Sequence, residues 1–303
     1  MTARILVGTC SWADKTLVEC GRFYPPDVKT PEDRLRYYAE QFPIVEVDST
    51  YYGLPSERNA ALWVERTPPD FTFDIKAFRL FTHHPTPIDA LPKDIRQELP
   101  PRGDRPNLYL RDLPPDVVDS LWERFASALL PLDSAGKLGV VLLQFPPWFL
   151  PGSESREYLV EARHRLPQYR IAVEFRNGAW VNERNLDRTL AFLRDHGFSY
   201  VCVDEPQTKN SVPPIAAVTA DVAVVRFHGR NVANWLKRGL SAADRFDYLY
   251  REDELAEWVP RVRLLAAEAR EVHLLMNNCH EDKAVRGARQ LALLLEREGL
   301  LRR

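Results

Sequence analysis

Cysteine is scarce in this chain and widely spaced. Its four cysteines, Cys10, Cys20, Cys202 and Cys279, form no CxxC pair, no zinc-like cluster and no framework of the secreted, disulfide-rich kind. That points to a reducing compartment. Long apolar runs are also lacking. Met1-Thr2-Ala3-Arg4 leads into an apolar segment of about five residues, too short for a signal peptide or a membrane span. A cytoplasmic location with no membrane partner is expected. Net charge is only −2, so no global field would draw the chain onto nucleic acid, and any such binding must come from a local patch. No strand-like run is followed by GxGxxG or GxxxxGK[ST], so neither a dinucleotide fold nor a P-loop has support.

The 303 residues are 45% hydrophobic and 28% charged, an ordinary globular balance. Eight β-like runs alternate with amphipathic stretches: Arg4–Thr9, Ile44–Asp48, Phe71–Lys76, Leu138–Gln144, Arg170–Phe175, Ser199–Val203, Val222–His228 and Glu271–Asn277. Helices are predicted near Pro31–Gln41, Glu57–Arg66, Pro115–Leu130, Ser155–Arg165, Asn182–His196, Glu252–Glu268 and Glu281–Glu296. Thr30-Pro31-Glu32-Asp33 reads as an N-cap followed by proline and acidic residues, Ser155 as a weaker cap, and His196-Gly197 as a helix end. Strand–helix alternation of this length predicts an α/β fold, a TIM-type (β/α)8 barrel occupying residues 1–303 as one domain. Two stretches break the alternation. Residues 84–115 are proline-rich and read as a long insertion after strand 3. Gln207–Ala217 carries no helical period, so the sixth α unit is degraded.

Strand residues alternate between two faces. The apolar pairs Val45/Val47, Phe73/Ile75, Val141/Leu143, Val173/Phe175, Val201/Val203 and Val225/Phe227 are assigned to the helix-facing side. The opposite parity then points into the barrel. It ends in Cys10, Glu46 with Asp48, Lys76, Gln144, Glu174 with Arg176, Asp204, and Arg226 with His228, while the last strand ends in Asn277-Asn278. Barrel enzymes place their sites at this C-terminal rim. The plainer alternative is an ion-pair layer that satisfies itself and closes the barrel, through pairs such as Lys76–Glu46 and Arg226–Glu174.

Loops beyond the strands carry Trp12, Tyr51, Tyr52, Trp148, Trp180 and Trp235, rings suited to flat ligands. Phe23, Tyr24 and Trp148 read more readily as packing. Arg79, His83, His84, Lys209, Arg230, Lys237 and Arg238, with Lys76, Arg176 and Arg226, make a local positive patch, although Lys237 and Arg238 suit solvated loop.

Several stretches together resemble the DUF72 (YecE-like) family. They are Val7-Gly8-Thr9-Cys10-Ser11-Trp12, Phe23-Tyr24-Pro25, VEVDSTYYGLPS from Val45, FTFDIKAFRLFTHH from Phe71 and LLQFPPWF from Leu142. VEFRNGAW from Val173, VDEP from Val203, VRFHGRN from Val225 and LLMNNCHEDKAVRGA from Leu274 complete the set. The resemblance runs in order along almost the whole chain. It implies a TIM-type barrel and no settled activity. Cys10 and Cys279 depart from the residues such proteins usually carry there.

Three functions are compatible with these residues. The first is a hydrolase acting on a phosphate-bearing ligand: a nucleotide, nucleic acid or sugar phosphate. Lys76, Arg176 and Arg226 would hold the anion, Glu174 or His228 would act as general base, and Trp12, Asp48, Tyr51, Gln144, Trp180, Arg230 and Asn277 would line the ligand. A divalent metal ion on Glu46, Glu174, Asp204 and His228 would suit that chemistry, although no HExxH-like spacing marks one. The second is a glycoside hydrolase using Glu46 and Glu174. It requires carboxyls ~5–5.5 Å or ~6.5–9.5 Å apart, and pairing of both to Lys76 and Arg226 would exclude it. The third is a non-enzymatic binding or scaffolding protein. Cys10 and Cys279 would be neighbours at the rim and read as small packing residues rather than a redox pair.

Overall fold

The computed structural model describes residues 3–99, 106–235, 237, 239, 240 and 242–301. Eight parallel strands close into a barrel: β1 (Arg4–Thr9), β2 (Ile44–Val47), β3 (Thr72–Lys76), β4 (Leu138–Gln144), β5 (Ile171–Glu174), β6 (Phe198–Asp204), β7 (Val222–Phe227) and β8 (Glu271–Met276). Each strand pairs with its sequence neighbours, and β1 pairs with both β2 and β8. The expected TIM-type barrel is therefore present, with strand bounds within two residues of those predicted.

Helix ends follow local chemistry. Thr30 accepts from the Asp33 N–H while Asp33 accepts from the Thr30 N–H, a capping box ahead of Pro31–Gln41. Gly197, at φ 66°, ends Leu186–Asp195 one residue beyond the cap. Two expectations need correction. Ser155 is not a cap: the helix starts at Ser153, and the Ser155 hydroxyl donates to the Leu150 carbonyl. The helix expected over Glu252–Glu268 is two, Glu252–Ala256 and Val259–Glu268. Pro260 forces the break, because its ring would clash in a helix interior yet fits a first turn.

The insertion after β3, apart from residues 100–105, which lie outside the described residues, is more ordered than its composition suggests. Thr86–Pro87 and Asn107–Leu108 form a short antiparallel ribbon, and Lys93–Glu98 is helical. No helix occurs between β6 and β7, matching the degraded sixth unit.

Below the mouth, the barrel interior holds a buried ionisable pair. His273 of β8 reaches across to Asp74 of β3, with Nδ1 2.9 Å from Oδ2. Asp74 Oδ1 also accepts the Val140 N–H at 2.9 Å. Burial opposes charge on the imidazole, but the Asp74 carboxylate outweighs it and the pKa rises to about 9. Gly139 makes room for the pair, since a Cβ there would lie 2.1 Å from Asp74 Oδ1 and 3.1 Å from His273 Cε1. Gly139→Ala is accordingly expected to cost about 1–3 kcal/mol, as overpacking does. A denaturant midpoint equal to that of the unchanged protein would refute it.

Candidate functional site at the barrel mouth

Strand parity carries most of the predicted residues to one place. Arg226, on β7 and fully buried, lies at the centre. It holds Glu46 of β2 with two bonds, Nη2–Oε1 at 2.6 Å and Nε–Oε2 at 2.8 Å, and reaches Glu174 of β5 with Nη1–Oε2 at 2.5 Å. A guanidinium fork fits this two-carboxylate arrangement where a lysine could not. The other oxygen of Glu174 accepts from Gln144 at 2.8 Å and lies 3.1 Å from both Arg176 and His228. Asn277 sits 2.8 Å from the second ring nitrogen of His228. Arg176 also pairs with Glu205 at 3.3 Å. Lys76 pairs with Asp48 at 2.7 Å, not with Glu46 as expected.

The electrostatics follow from burial and these contacts. Burial alone would raise Glu174, but Arg226, His228 and Arg176 hold its carboxyl well below the usual range. Burial drives His228 down to about 3, with Arg176 and Arg226 assisting against Glu174. The imidazole is therefore neutral. Its Nε2–H donates to Glu174 and its Nδ1 accepts from the Asn277 amide, so neither nitrogen is free to take a proton. Burial pushes Glu46 up against the pull of Arg226 and Lys76. Both Glu46 oxygens are nonetheless taken by Arg226.

Several predicted residues lie elsewhere. Asp204 faces the helices, bound by Arg230, the Tyr250 hydroxyl and the Trp258 ring N–H at 2.7 Å each. In β6 it is Val203 that registers with inward Arg226, and Asp204 with outward Phe227. The parity assigned to this strand was inverted. Both faces of a barrel strand are buried, so the apolar alternation Val201/Val203 does not say which face it marks. The inward residue missed for that reason is Glu205. Arg230 leaves the mouth with Asp204, and its other partner is Glu257 at 3.0 Å. Trp180 is fully buried, stacked on Phe175 with centroids 4.1 Å apart, and bonds the Phe149 carbonyl. Trp12 is buried edge-on against Trp63 and Phe73. Neither tryptophan is placed to touch a ligand. Phe23 and Tyr24 are buried as expected, whereas Trp148 is 59% exposed and is not packing. Arg238 lies outside the described residues.

The four residues expected to hold a metal do not converge. Asp204 is on the wrong face, and Arg226 occupies the space between Glu46 and Glu174 with its own positive charge. Among the described residues no group of three or more His, Cys, Asp or Glu could hold a metal ion. Cys10 and Cys279 are also poor candidates for chemistry, since burial pushes both thiols well up.

Above this layer opens a cavity of about 440 Å³ lined by Asp48, Tyr51, Tyr52, Lys76, Gln144 and Asn277, among others. Two cations share the ring of Tyr51: Lys76 Nζ lies 4.4 Å and the Arg79 guanidinium 5.2 Å from its centroid. Lys76 has Asp48. Arg79 has no carboxylate partner among the described residues, and its Nε is buried without a hydrogen bond. Beside Tyr51 stands His84, with centroids 5.4 Å apart, driven to about 3 by burial and by Lys76, Arg79 and Arg176. Among the described residues no helix is long and apolar enough to cross a membrane.

The model of the family described as protein of unknown function DUF72 matches residues 6–302. The UPF0759 protein YunF of Bacillus subtilis is 31% identical over 299 residues, covering 97% of this chain and 95% of that one. The UPF0759 protein YecE of Escherichia coli is 26% identical over 212 residues, covering 68% of this chain and 71% of that one. Among solved structures, a DUF72 family protein from Thermotoga maritima is 32% identical with a TM-score of 0.77, covering 97% of this chain and 99% of that one. Another from Enterococcus faecalis is 28% identical with the same TM-score of 0.77, covering 96% and 95%. With the family model matched over residues 6–302 and a 31% identical relative covering 97% of the chain, this protein belongs to the DUF72 family.

Proposed function

We propose that the barrel mouth binds a phosphate-bearing small molecule, with its anion between Lys76 and Arg79 and its ring beside Tyr51. The observation that carries this reading is the unpaired Arg79 guanidinium. A partly buried cation without a counter-charge is costly, and a phosphate bound against its guanidinium would supply that charge. Arg226, Arg176 and Glu174 form the floor of the site. They are satisfied by one another and by Glu46 and Glu205, so they set its shape rather than receive the ligand.

Hydrolysis of such a ligand would not run through Glu174 or His228, whose acceptor atoms are already engaged. It falls instead to Asp48. This mouth carboxylate retains 28% side-chain exposure and lies against Lys76. A glycosidase using Glu46 and Glu174 fits poorly, because Arg226 ties down both carboxyls. Capture without turnover is favoured by the same closed layer.

Calorimetric titration with pyrophosphate and with ADP tests the site. Arg79→Ala is expected to weaken both at least tenfold, about 1.4 kcal/mol, with folding intact. Unchanged affinity, or no binding by the native protein, would sink the proposal. Phosphate release from ADP by the native protein that is lost in Asp48→Asn separates a hydrolase from a binding protein.

A further inference from the structure

A second and larger cavity, of about 840 Å³, lies on the flank of the barrel. The insertion strand and turn around Tyr109–Leu113, the start of helix Pro115–Ser134, the Trp148–Phe149 loop and helix Ser153–Arg165 enclose it. Its size falls within the ~300–1,000 Å³ typical of small-molecule pockets. Trp148 and His84 are close, with centroids 6.0 Å apart, yet His84 and Tyr51 are on the mouth side while Trp148 lines the flank. The two cavities thus have separate linings.

The flank lining is ring-rich and carries two charges to spare. Phe149 is fixed by stacking on Phe145, with centroids 4.0 Å apart, and Trp148 stands exposed beside it. Arg165 is already neutralised by Asp119 at 2.6 Å and Glu161 at 3.0 Å. Arg111 and Glu154 have no opposite-charge partner among the described residues. Arg111 lies over the Tyr109 ring, 5.1 Å from its centroid. His83, which feels both charges, enters the cavity wall from a left-handed backbone, φ 60° and ψ 22°, a conformation uncommon outside glycine. Strained residues persist where the surroundings over-determine them and are enriched at ligand sites. The ring of His83 contacts Phe145, Phe149 and Tyr158, while its nitrogens have no hydrogen-bond partner among the described residues. Burial keeps it neutral.

We propose that this flank cavity binds a small aromatic zwitterion of the aromatic amino acid class. The ring would stack on the exposed Trp148 against the edges of Phe149 and His83, the ligand carboxylate would face Arg111, and its ammonium would face Glu154. A lone anion or a lone cation would satisfy only one of the two free charges, so a ligand carrying both is the better complement.

The test is calorimetry with three indoles: L-tryptophan, tryptamine and indole-3-propionate. L-tryptophan is expected to bind once per chain, with tryptamine and indole-3-propionate each at least tenfold weaker. Glu154→Lys, an exposed change that should leave folding intact, is expected to cost L-tryptophan at least tenfold while leaving indole-3-propionate no weaker. Val118→Trp, which fills the cavity from its helical wall, is expected to abolish all three, with the melting curve reporting that the chain is folded. L-tryptophan binding should persist in Arg79→Ala, whatever happens there to pyrophosphate. No binding of L-tryptophan, equal binding of all three indoles, full retention in both Glu154→Lys and Val118→Trp, or loss in Arg79→Ala would each overturn the proposal.

Discussion

Arg226→Met is expected to cost about 3–5 kcal/mol of folding stability, the loss that follows when one side of a buried ion pair is removed. For a chain of this size that corresponds to a fall on the order of 5–10 °C in melting temperature. Glu46 and Glu174 are fully buried, and Arg226 is the partner they share. Without it, two carboxylates face each other in a low-dielectric interior. The deficit has a pH signature. Native Glu174 is held low, so its stabilisation is present at neutral pH and lost as pH falls through its folded pKa. In the variant, burial is opposed only by His228 and Arg176 at Glu174 and by Lys76 at Glu46, so both carboxyls move up from where Arg226 holds them. The variant therefore loses less stability than the native protein as pH falls through the carboxylate range, and the difference between them narrows below about pH 5. Adding Glu46→Leu and Glu174→Leu should recover part of the loss, since apolar replacement of a whole buried cluster is often neutral. Denaturant melts at pH 7 and about pH 4 measure all three quantities. A melting temperature for Arg226→Met within a degree or so of native would show that the carboxylates are not dependent on this partner.

The second large effect lies lower in the barrel, at His273 and Asp74. The imidazole has a folded pKa of about 9 against about 6.5 when unfolded. Its stabilisation is therefore full below pH 6.5, declines above it, and is gone once pH passes 9. The difference between the folded and unfolded values corresponds to about 3 kcal/mol. Asp74→Asn removes the carboxylate while an amide oxygen can still accept the Val140 N–H, and the imidazole loses the charge that chiefly raised it, with Glu271 remaining. The stability advantage of native protein over Asp74→Asn should shrink by about 3 kcal/mol between pH 6.5 and pH 9.5. Unfolding in urea across that range reads it directly. Parallel profiles would mean that the pair does not ionise as described. At the other end, Glu271 is lowered to about 2, chiefly by His273 and then Arg170 against its burial. Acid below that range should release this contact as well.

Much of this architecture was legible in the sequence because both of its periodicities are local. Arg4–Thr9 and Leu138–Gln144 read as strands and are strands with the same ends. Pro31–Gln41 was bounded by its cap and its proline. Inward parity brought Glu46, Lys76, Glu174, Arg226 and His228 to one mouth, since alternation fixes sidedness once a single face is identified. The same logic failed at β6, where valines face inward and cysteine and aspartate face the helices. There both faces are apolar enough that the pattern has no sign. Shifting the assignment by one residue exchanges Asp204 for Glu205, and with it the reading of Arg230.

Pairing was legible only as a set of possibilities. Lys76 is close in composition and register to both Glu46 and Asp48, and only the path of β3 against β2 gives it to Asp48. Trp180 and Trp148 carry the same side chain in similar loops. One is sealed between Phe149 and Phe175 and the other stands in solvent, a difference set by how the loops fold over the rim.

The sequence by itself determined the closed barrel, the end of it at which polar residues collect, and the identity of most of those residues. Strand period, helix caps and chain-order motifs act over a few residues, so they survive in one dimension. Tertiary structure alone decided that the charges at the mouth chiefly satisfy one another around Arg226, that Arg79 is left without a counter-charge among the described residues, and that a second cavity opens beneath the insertion. Each of these depends on distances between residues from tens to nearly two hundred positions apart, as Glu46 and Arg226 are. Coulomb energy and desolvation respond to those distances and not to separation along the chain.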